Sequence, residues 1–447
     1  MHTPPITIIG AGLSGTLLAI CLAQKGFNVT VYERRADMRL EHIPAGRSIN
    51  LALSSRGIHA LKQIGLEQQM VAIALPMHER CIHTIGNAPV HAAYSGRQGE
   101  YINSISRSEL NIALLNEANK YSNITIHFNH TCTQVQVAAG IATFTHNHTT
   151  ITASNSIIIG TDGAGSALRN AFEVQVPGFT HTQDILPHGY KELNIPPLPN
   201  GDFALSKSAL HIWPRGSYMC IALPNPSGDF TVTLFLSKQD STPSFEQLSN
   251  PEAITQFFTT QFPEIAQHIP NLVEQYLANP VGQLGTLLCA PYHYKGQCLL
   301  LGDAAHAIVP FYGQGMNCSF EDVMVLSQLI NDYGTDFTTI FELYTSLRKP
   351  NCDAIAQLAI DNFYEMRDAT ANPTFQLKRQ VETKLEQLYP NYYSKYSMVT
   401  FRHNVPYNVA RDKGRAQDDV LMQYCSTKHN LADVDLDQVH NLLLQLK

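Results

Sequence analysis

The residues whose types and spacing could do chemistry are glycines and acids at the ends of short apolar runs. Ile6 to Ile9 leads into Gly10-Ala11-Gly12-Leu13-Ser14-Gly15, and Glu33 closes the next apolar run, 23 residues beyond Gly10. In a GxGxxG turn of this kind Gly10 permits the bend, Gly12 lets the backbone approach a pyrophosphate, and Gly15 lets helix and strand close. The helix that opens at Leu13 and Ser14 points unpaired N–H groups at phosphates. An acid about twenty residues on is placed for a ribose hydroxyl, and Arg34 and Arg35 follow it directly. A second turn, Gly160-Thr161-Asp162-Gly163-Ala164-Gly165-Ser166, follows the run from Ser156 to Ile159. A third, Gly302-Asp303-Ala304-Ala305-His306, follows Cys298 to Leu301 and leads to Pro310-Phe311-Tyr312-Gly313-Gln314-Gly315-Met316-Asn317. Asp303 offers a carboxylate to sugar-like hydroxyls. Gly315, Met316 and Asn317 present backbone N–H groups and a helix N-terminus to developing negative charge. His306 reads as a core or supporting histidine rather than a base. The first turn alone leaves NAD, NADP and FAD open.

The elements that must position these turns are read from periodicity. Ile6 to Ile9, a helix through Leu17, Leu18, Cys21 and Leu22 ending at Gly26, and a strand from Phe27 to Tyr32 make a βαβ unit. A helix through Ile58, Leu61 and Ile64 follows, then short strands between 76 and 100, then a helix capped by Ser106 or Ser108. Leu210 to Trp213, Tyr218 to Leu223 and Thr231 to Leu236 are β-rich segments separated by Pro/Gly turns, and predict an antiparallel sheet. The tail from about 335 is helical in pattern. The expected fold class is α/β, α+β overall: a doubly wound nucleotide-binding part, an antiparallel-sheet part and a C-terminal helical part.

Composition excludes several classes. The chain has 447 residues, 44% hydrophobic and only 15% charged, so a sizeable core is expected and disorder is a poor fit. The net charge is −7 with no Lys/Arg-rich run, which argues against nucleic acid as a partner. Nine scattered cysteines without a C-x-x-C pair argue against a disulfide framework or structural zinc, and a reducing cytoplasm is expected. No His/Cys spacing matches a metal site, so metal is expected to be absent. No run approaches the roughly 18 apolar residues of a spanning helix, and no secretion signal precedes Ile6.

The three turns, in this order, resemble the FAD-dependent aromatic hydroxylases of the para-hydroxybenzoate hydroxylase class. The strings GRSINLALSSRG, GDAAHAIVPFYGQGMN, DNFYEMRD and YSMVTF are similar, in wording and order, to the kynurenine-hydroxylating family across nearly the whole chain. The resemblance implies a discontinuous Rossmann-like FAD-binding domain at 1–75, 101–180 and 291–330, a substrate domain at 76–100 and 181–290, and a helical region at 331–447. Non-covalent FAD would be held by Gly10, Gly12, Leu13, Ser14, Gly15, Glu33, Arg34, Arg35, Ala52, Arg107, Asp162, Asp303, Gly315, Met316 and Asn317. The implied substrate is L-kynurenine, a zwitterionic amino acid bearing an aminophenyl ketone. Arg80 and Tyr94 match the family's carboxylate pair, joined by Asn362 and Tyr396. Leu210, Met219, Ile221 and Phe235 would wall the ring, with Pro310, Phe311 and Tyr312 beside the flavin. Met219 and Ile221 are two apart, on one face of a strand. Taken alone, that alternation reads as core.

The implied chemistry is reduction of FAD by NADPH, reaction with O₂ to a C4a-hydroperoxide and hydroxyl transfer ortho to the aniline nitrogen, giving 3-hydroxykynurenine. The flavin carries the chemistry, and no catalytic side chain is assigned. NADPH has no visible site, since no second GxGxxG exists. Without a C-terminal anchor the chain resembles the soluble bacterial members, as a monomer or homodimer. A nicotinamide-dependent dehydrogenase, a phenolic hydroxylase or an isoprenoid reductase are the competing classes. A lone tryptophan, Trp213, disfavours a halogenase.

Overall fold

The computed structural model describes residues 3–40, 50–154, 156–369 and 372–446. Residues Gly46 to Ile49 of the GRSINLALSSRG string lie outside them.

The first glycine turn is built on a six-stranded sheet in the order His293–Tyr294, Cys298–Leu300, Ile157–Gly160, Ile6–Ile9, Val29–Tyr32 and Ile124–His127. All neighbouring pairs are parallel except the first, an antiparallel edge. Runs such as ITII and IIIG suit this place because a parallel sheet is covered on both faces, which calls for continuous rather than alternating apolar residues. Ile6, Ile8 and Ile9 are indeed buried. Register sets the chemistry: Ile9 pairs with Gly160, and Gly160 with Leu300, so the three glycine turns leave neighbouring strands at one carboxyl edge. That edge is where open α/β sheets bind ligands. The helix Leu13–Gln24 packs against the sheet with Leu17, Leu18, Ile20 and Leu22 fully buried. A Cβ at Gly15 would stand 2.0 Å from the Gly10 carbonyl oxygen, so only glycine permits this approach. Gly10 has φ +102°, open to glycine at no strain.

The second sheet has eight strands, ordered His306–Ala307, Gly282–Ala290, Thr180–Ile195, Phe230–Ser237, Met219–Pro224, Ala209–Pro214, Glu79–Ile82 and Val90–Ala93. It is antiparallel apart from the parallel pair formed by Ala209–Pro214 and Glu79–Ile82. The β-rich segments expected around 210–236 form its middle. One face is covered by the helices Pro251–Gln261, Pro263–His268 and Leu272–Ala278, whose Ile254, Phe258, Ile265 and Tyr276 pack on Trp213, Phe230 and Leu234. The sequence reading did not anticipate these helices inside a β-rich stretch. The other face looks toward the helices Phe337–Tyr364 and Lys395–Phe401. The two sheets join at His306–Ala307, which carries the third glycine turn straight into the edge of the second sheet.

The expected helix cap is Ser106, whose hydroxyl accepts from Glu109 N–H at the start of Arg107–Ala118. In the tail, Pro373–Leu388, Tyr407–Cys425 and Leu436–Leu444 bury Leu377, Val381, Leu385, Leu421 and Val439 against one another. Among the described residues, no helix is long and apolar enough to cross a membrane.

Candidate functional site

A cavity of about 570 Å³ runs from the carboxyl edge of the first sheet to the open face of the second. At one end it is lined by Gly12, Leu13, Ser14, Ala52, Arg107, Asp303, Gly315 and Met316. The helices beginning at Leu13 and Gly315 carry no side-chain cap, so their first N–H groups are left for whatever occupies the cavity. Gly313, at φ +66°, sets the direction of the second of these helices. Asp303 opens into the cavity and makes no hydrogen bond within the described chain. The low-dielectric surroundings push its carboxyl up from the usual range. Asp162 does not line the cavity, though Thr161 and Gly163 on either side of it do; it accepts from Ala167 N–H at 2.7 Å through one oxygen, while its other oxygen is buried without a partner among the described residues.

The opposite end is aromatic and apolar. Arg80 leaves the strand Glu79–Ile82 with its guanidinium carbon 5.0 Å from the Tyr94 ring centre and 4.5 Å from that of Tyr396. Tyr396 stacks on Tyr94 at 5.5 Å and on Tyr312 at 5.6 Å, both near-parallel. No carboxylate among the described residues pairs with Arg80. The Tyr94 hydroxyl is buried without a hydrogen bond of good geometry, and burial holds it well above its ordinary pKa, so it remains a donor. Leu210, Ile221, Phe235, Pro310, Phe311 and Tyr312 line the walls, with Asn362. The Asn362 amide donates to the Phe311 carbonyl at 2.7 Å, fixing the loop that carries these aromatics.

Several residues expected at the site do not face the cavity. Met219 is fully buried; it shares a face with Ile221 but packs beneath, in register with Phe235. Asn317 is fully buried: its carbonyl oxygen accepts from Ser54 N–H at 3.0 Å and its amide donates to Ala52 and Gly313 carbonyls, so its side chain ties the strand Asn50–Leu53 to the helix start. Gly10 and Gly15 shape the first turn from behind. Glu33 accepts from Ala11 N–H at 2.8 Å and from Arg35 Nε at 2.8 Å. Burial opposes its charge, and the Arg35 and Ala11 contacts outweigh this to hold the carboxyl below its usual range. Arg34 is exposed at this edge. Conversely, Tyr190, Glu192, Thr231, Thr233 and Gln283 line the cavity from the second sheet and were not anticipated. The available signal was a Glu two residues from a Tyr on one face of a long strand. Burial raises the Glu192 carboxyl pKa.

Behind the third turn lies a buried ion network. Asp322 lies 2.6 Å from His306 Nε2, accepts from Arg348 Nε at 2.6 Å and from Gly302 N–H at 3.1 Å. Arg348 also reaches Glu321 at 2.9 Å, and Glu321 pairs with Arg56. Arg56 lies over the Tyr407 ring and donates to the Val399 carbonyl at 3.3 Å. Thus one chain of charges links the turn to the helix carrying Tyr396. Burial opposes a charge on His306, yet the Asp322 carboxylate pushes its pKa up to about 9. A folded-state pKa above the ordinary 6.5 gives a contribution that is whole below that value and is lost as pH rises through about 9. Chemical unfolding should therefore show stability falling by a few kcal/mol between these pH values. Asp322→Asn should abolish the slope and cost about 3 to 5 kcal/mol at pH 6. A profile of the same slope in parent and variant would remove His306 as its source.

Spacing in the sequence shows no metal-ligand group, but among the described residues folding assembles two His/Cys clusters: His306, Cys318, Asp322 and Cys352, and Cys81, His83 and His211. In the first, Arg348 already supplies the positive charge against Asp322.

A parallel sheet with three glycine turns converging on one cavity, joined to an antiparallel sheet that walls it, defines a flavoprotein monooxygenase fold. The sequence matches the FAD binding domain family over residues 3–359. Among solved structures, it is similar to 2-methyl-3-hydroxypyridine-5-carboxylic acid oxygenase (TM-score 0.68, 18% identity, covering 87% of this chain and 99% of that one). It is also similar to p-nitrophenol 4-monooxygenase from Pseudomonas putida (TM-score 0.67, 15% identity, 94% and 99% covered). Curated relatives include the kynurenine 3-monooxygenases of Myxococcus xanthus, 45% identical over 98% of this chain and 94% of that one. Another is that of Legionella pneumophila, 41% identical over 98% and 97%. The chain belongs to the kynurenine 3-monooxygenase family of FAD-dependent enzymes.

Proposed function

We propose that the enzyme hydroxylates L-kynurenine to 3-hydroxykynurenine, consuming NADPH and O₂. The observation that carries this reading is Arg80, a guanidinium with no carboxylate partner among the described residues, held over Tyr94 and Tyr396 at the aromatic end of a cavity that reaches the glycine turns. An amino acid carboxylate fits a free Arg fork with a hydroxyl donor beside it. An aryl ketone fits the walls of Leu210, Ile221, Phe235 and Phe311.

The cavity's other end suits FAD. The uncapped N–H groups at Leu13 and Ser14 would face the pyrophosphate, with Gly10, Gly12 and Gly15 allowing the approach and Glu33, exchanging its Arg35 contact for a hydroxyl, meeting the ribose beside Arg34 and Arg35. Asp303 would accept from ribityl hydroxyls, with Asp162, Arg107 and Ala52 alongside. The N–H groups of Gly315, Met316 and Asn317 would stabilise negative charge on the ring's pyrimidine edge. Bound FAD, reduced by NADPH, supplies activated oxygen to the substrate ring. The chain's own work is positional. Arg80 and Tyr94 fix the carboxylate, Asn362 and Tyr396 close the pocket, and Pro310, Phe311 and Tyr312 hold the ring against the flavin and keep out water. The substrate's amine lone pair activates the carbon ortho to it, so no side chain has to remove a proton first.

An empty cavity open to water would waste the reducing equivalents of NADPH, so their consumption is expected to wait for substrate. NADPH oxidation followed with and without L-kynurenine should accelerate by an order of magnitude or more when it is present. A rate indifferent to kynurenine would contradict this gating.

A further inference from the structure

The face of the eight-stranded sheet turned away from the cavity carries a row of nitrogen and sulfur ligands across three adjacent strands. His211 is in register with Cys81, and Cys81 with His91, and register neighbours project to the same side. His83, two residues beyond Cys81, joins them on that side, whereas Arg80 points the other way into the cavity. One ligand atom each of Cys81, His83 and His211 lies within 4.8 Å of the other two, and all three residues are buried. Cys81 Sγ is 3.9 Å from Nε2 of the exposed His91.

The outer ring nitrogens are already engaged. His211 Nε2 lies 2.9 Å from the Ser206 carbonyl oxygen, and His91 Nδ1 lies 2.6 Å from Glu79 Oε1. His83 Nδ1 lies 2.8 Å from Glu264 Oε2, off the line of a good hydrogen bond. The inner nitrogens, His83 Nε2 and His211 Nδ1, face each other at 2.9 Å. The contact between the inner nitrogens and the His211 bond to Ser206 take the two N–H groups that two neutral imidazoles carry, which leaves His83 Nδ1 a proton short beside the Glu264 carboxylate. A cation between the inner nitrogens removes the shortfall. It also leaves each ring donating outward to a carbonyl or carboxylate, the arrangement that orients metal-bound imidazoles.

We propose that Cys81, His83 and His211, with His91 closing the open edge, form a binding site for one Zn(II)-class cation. One thiolate with imidazoles is a borderline-soft ligand set that suits zinc. With bonds of about 2.0 to 2.3 Å, tetrahedral ligand atoms stand roughly 3.3 to 3.8 Å apart. The inner nitrogens therefore open slightly and the thiol draws in. Binding releases the Cys81 thiol proton, and the proton shared between the rings passes to the outward-facing His83 Nδ1. Glu79 and Glu264 lie behind the ligands, and Arg215, which donates to the His83 carbonyl, is the nearby positive charge.

The test uses the flavin-loaded protein, stripped with a chelator, then titrated separately with zinc chloride and cobalt chloride. One zinc per chain should survive desalting. Cobalt should give tetrahedral ligand-field bands at the red end of the spectrum, clear of flavin absorption. Cys81→Ser should weaken zinc retention by about tenfold or more, and His91→Ala, at an exposed position, should weaken it while leaving FAD content intact. Zinc retention equal in the parent and both variants, or no retained zinc in the parent, overturns the proposal. Neither result bears on kynurenine hydroxylation, whose readouts are separate.

Discussion

Replacing Arg80 with alanine should weaken L-kynurenine binding by two orders of magnitude or more and leave flavin content unchanged. The guanidinium stands over the rings of Tyr94 and Tyr396 with no carboxylate of the described chain to neutralise it. A substrate carboxylate brought there without Arg80 would be stripped of water and left without its counter-charge, which costs several kcal/mol. Arg80→Lys should recover part of the loss, because an ammonium keeps the charge but cannot make two parallel hydrogen bonds. Tyr94→Phe should cost less, about 1.5 to 3 kcal/mol for one hydrogen bond to a charged group. The flavin should be retained throughout, since Arg80 is on the second sheet and the glycine turns leave the first. Titration of the flavin absorbance with kynurenine measures all three. Unaltered affinity in Arg80→Ala would make Arg80 a structural residue and move the carboxylate site elsewhere.

Asp303→Ala should lower FAD affinity by roughly tenfold to a hundredfold, the worth of a charge-assisted hydrogen bond of about 1.5 to 3 kcal/mol. Asp303 lies in a 3₁₀ turn directly after a fully buried strand, and its side chain makes no hydrogen bond with the described residues, so its removal leaves none of their polar groups without a hydrogen-bond partner. Stability of the apoprotein should change little, which separates a cofactor effect from a folding effect. Flavin released per chain on dilution is the measurement. Retention equal to the parent would exclude Asp303 as a partner of the ribityl chain. Asp322→Asn is the useful contrast, because there the loss should fall on stability first.

The cofactor end of the site was more legible than the substrate end, for a physical reason. Ile6–Ile9, Ile157–Gly160 and Cys298–Leu300 are buried on both faces and stop at glycines, so strand, turn and destination are written contiguously. The substrate end is assembled across long sequence separations. Tyr94, Tyr312 and Tyr396 form one stack from three distant segments, and nothing local in any of them announces it. Strand periodicity gave the shared face of Met219 and Ile221 but not their depth, which depends on what Phe235 covers. Asn317 was legible as part of a helix start, while its side-chain bonds to Ser54 and Ala52 depend on where a distant strand lands. The helices between Pro251 and Ala278 escaped because short helices with few turns show little periodicity. The cluster of Cys81, His83, His91 and His211 depends wholly on strand register, which spacing along the chain does not reveal.

The most direct test of the central claim is turnover under isotopically labelled O₂ with NADPH and L-kynurenine, followed by mass spectrometry of the aromatic product. The account predicts 3-hydroxykynurenine carrying one labelled oxygen atom, formed in proportion to the NADPH consumed. Unmodified kynurenine, with every NADPH accounted for as hydrogen peroxide, or a hydroxyl drawn from water, would contradict it.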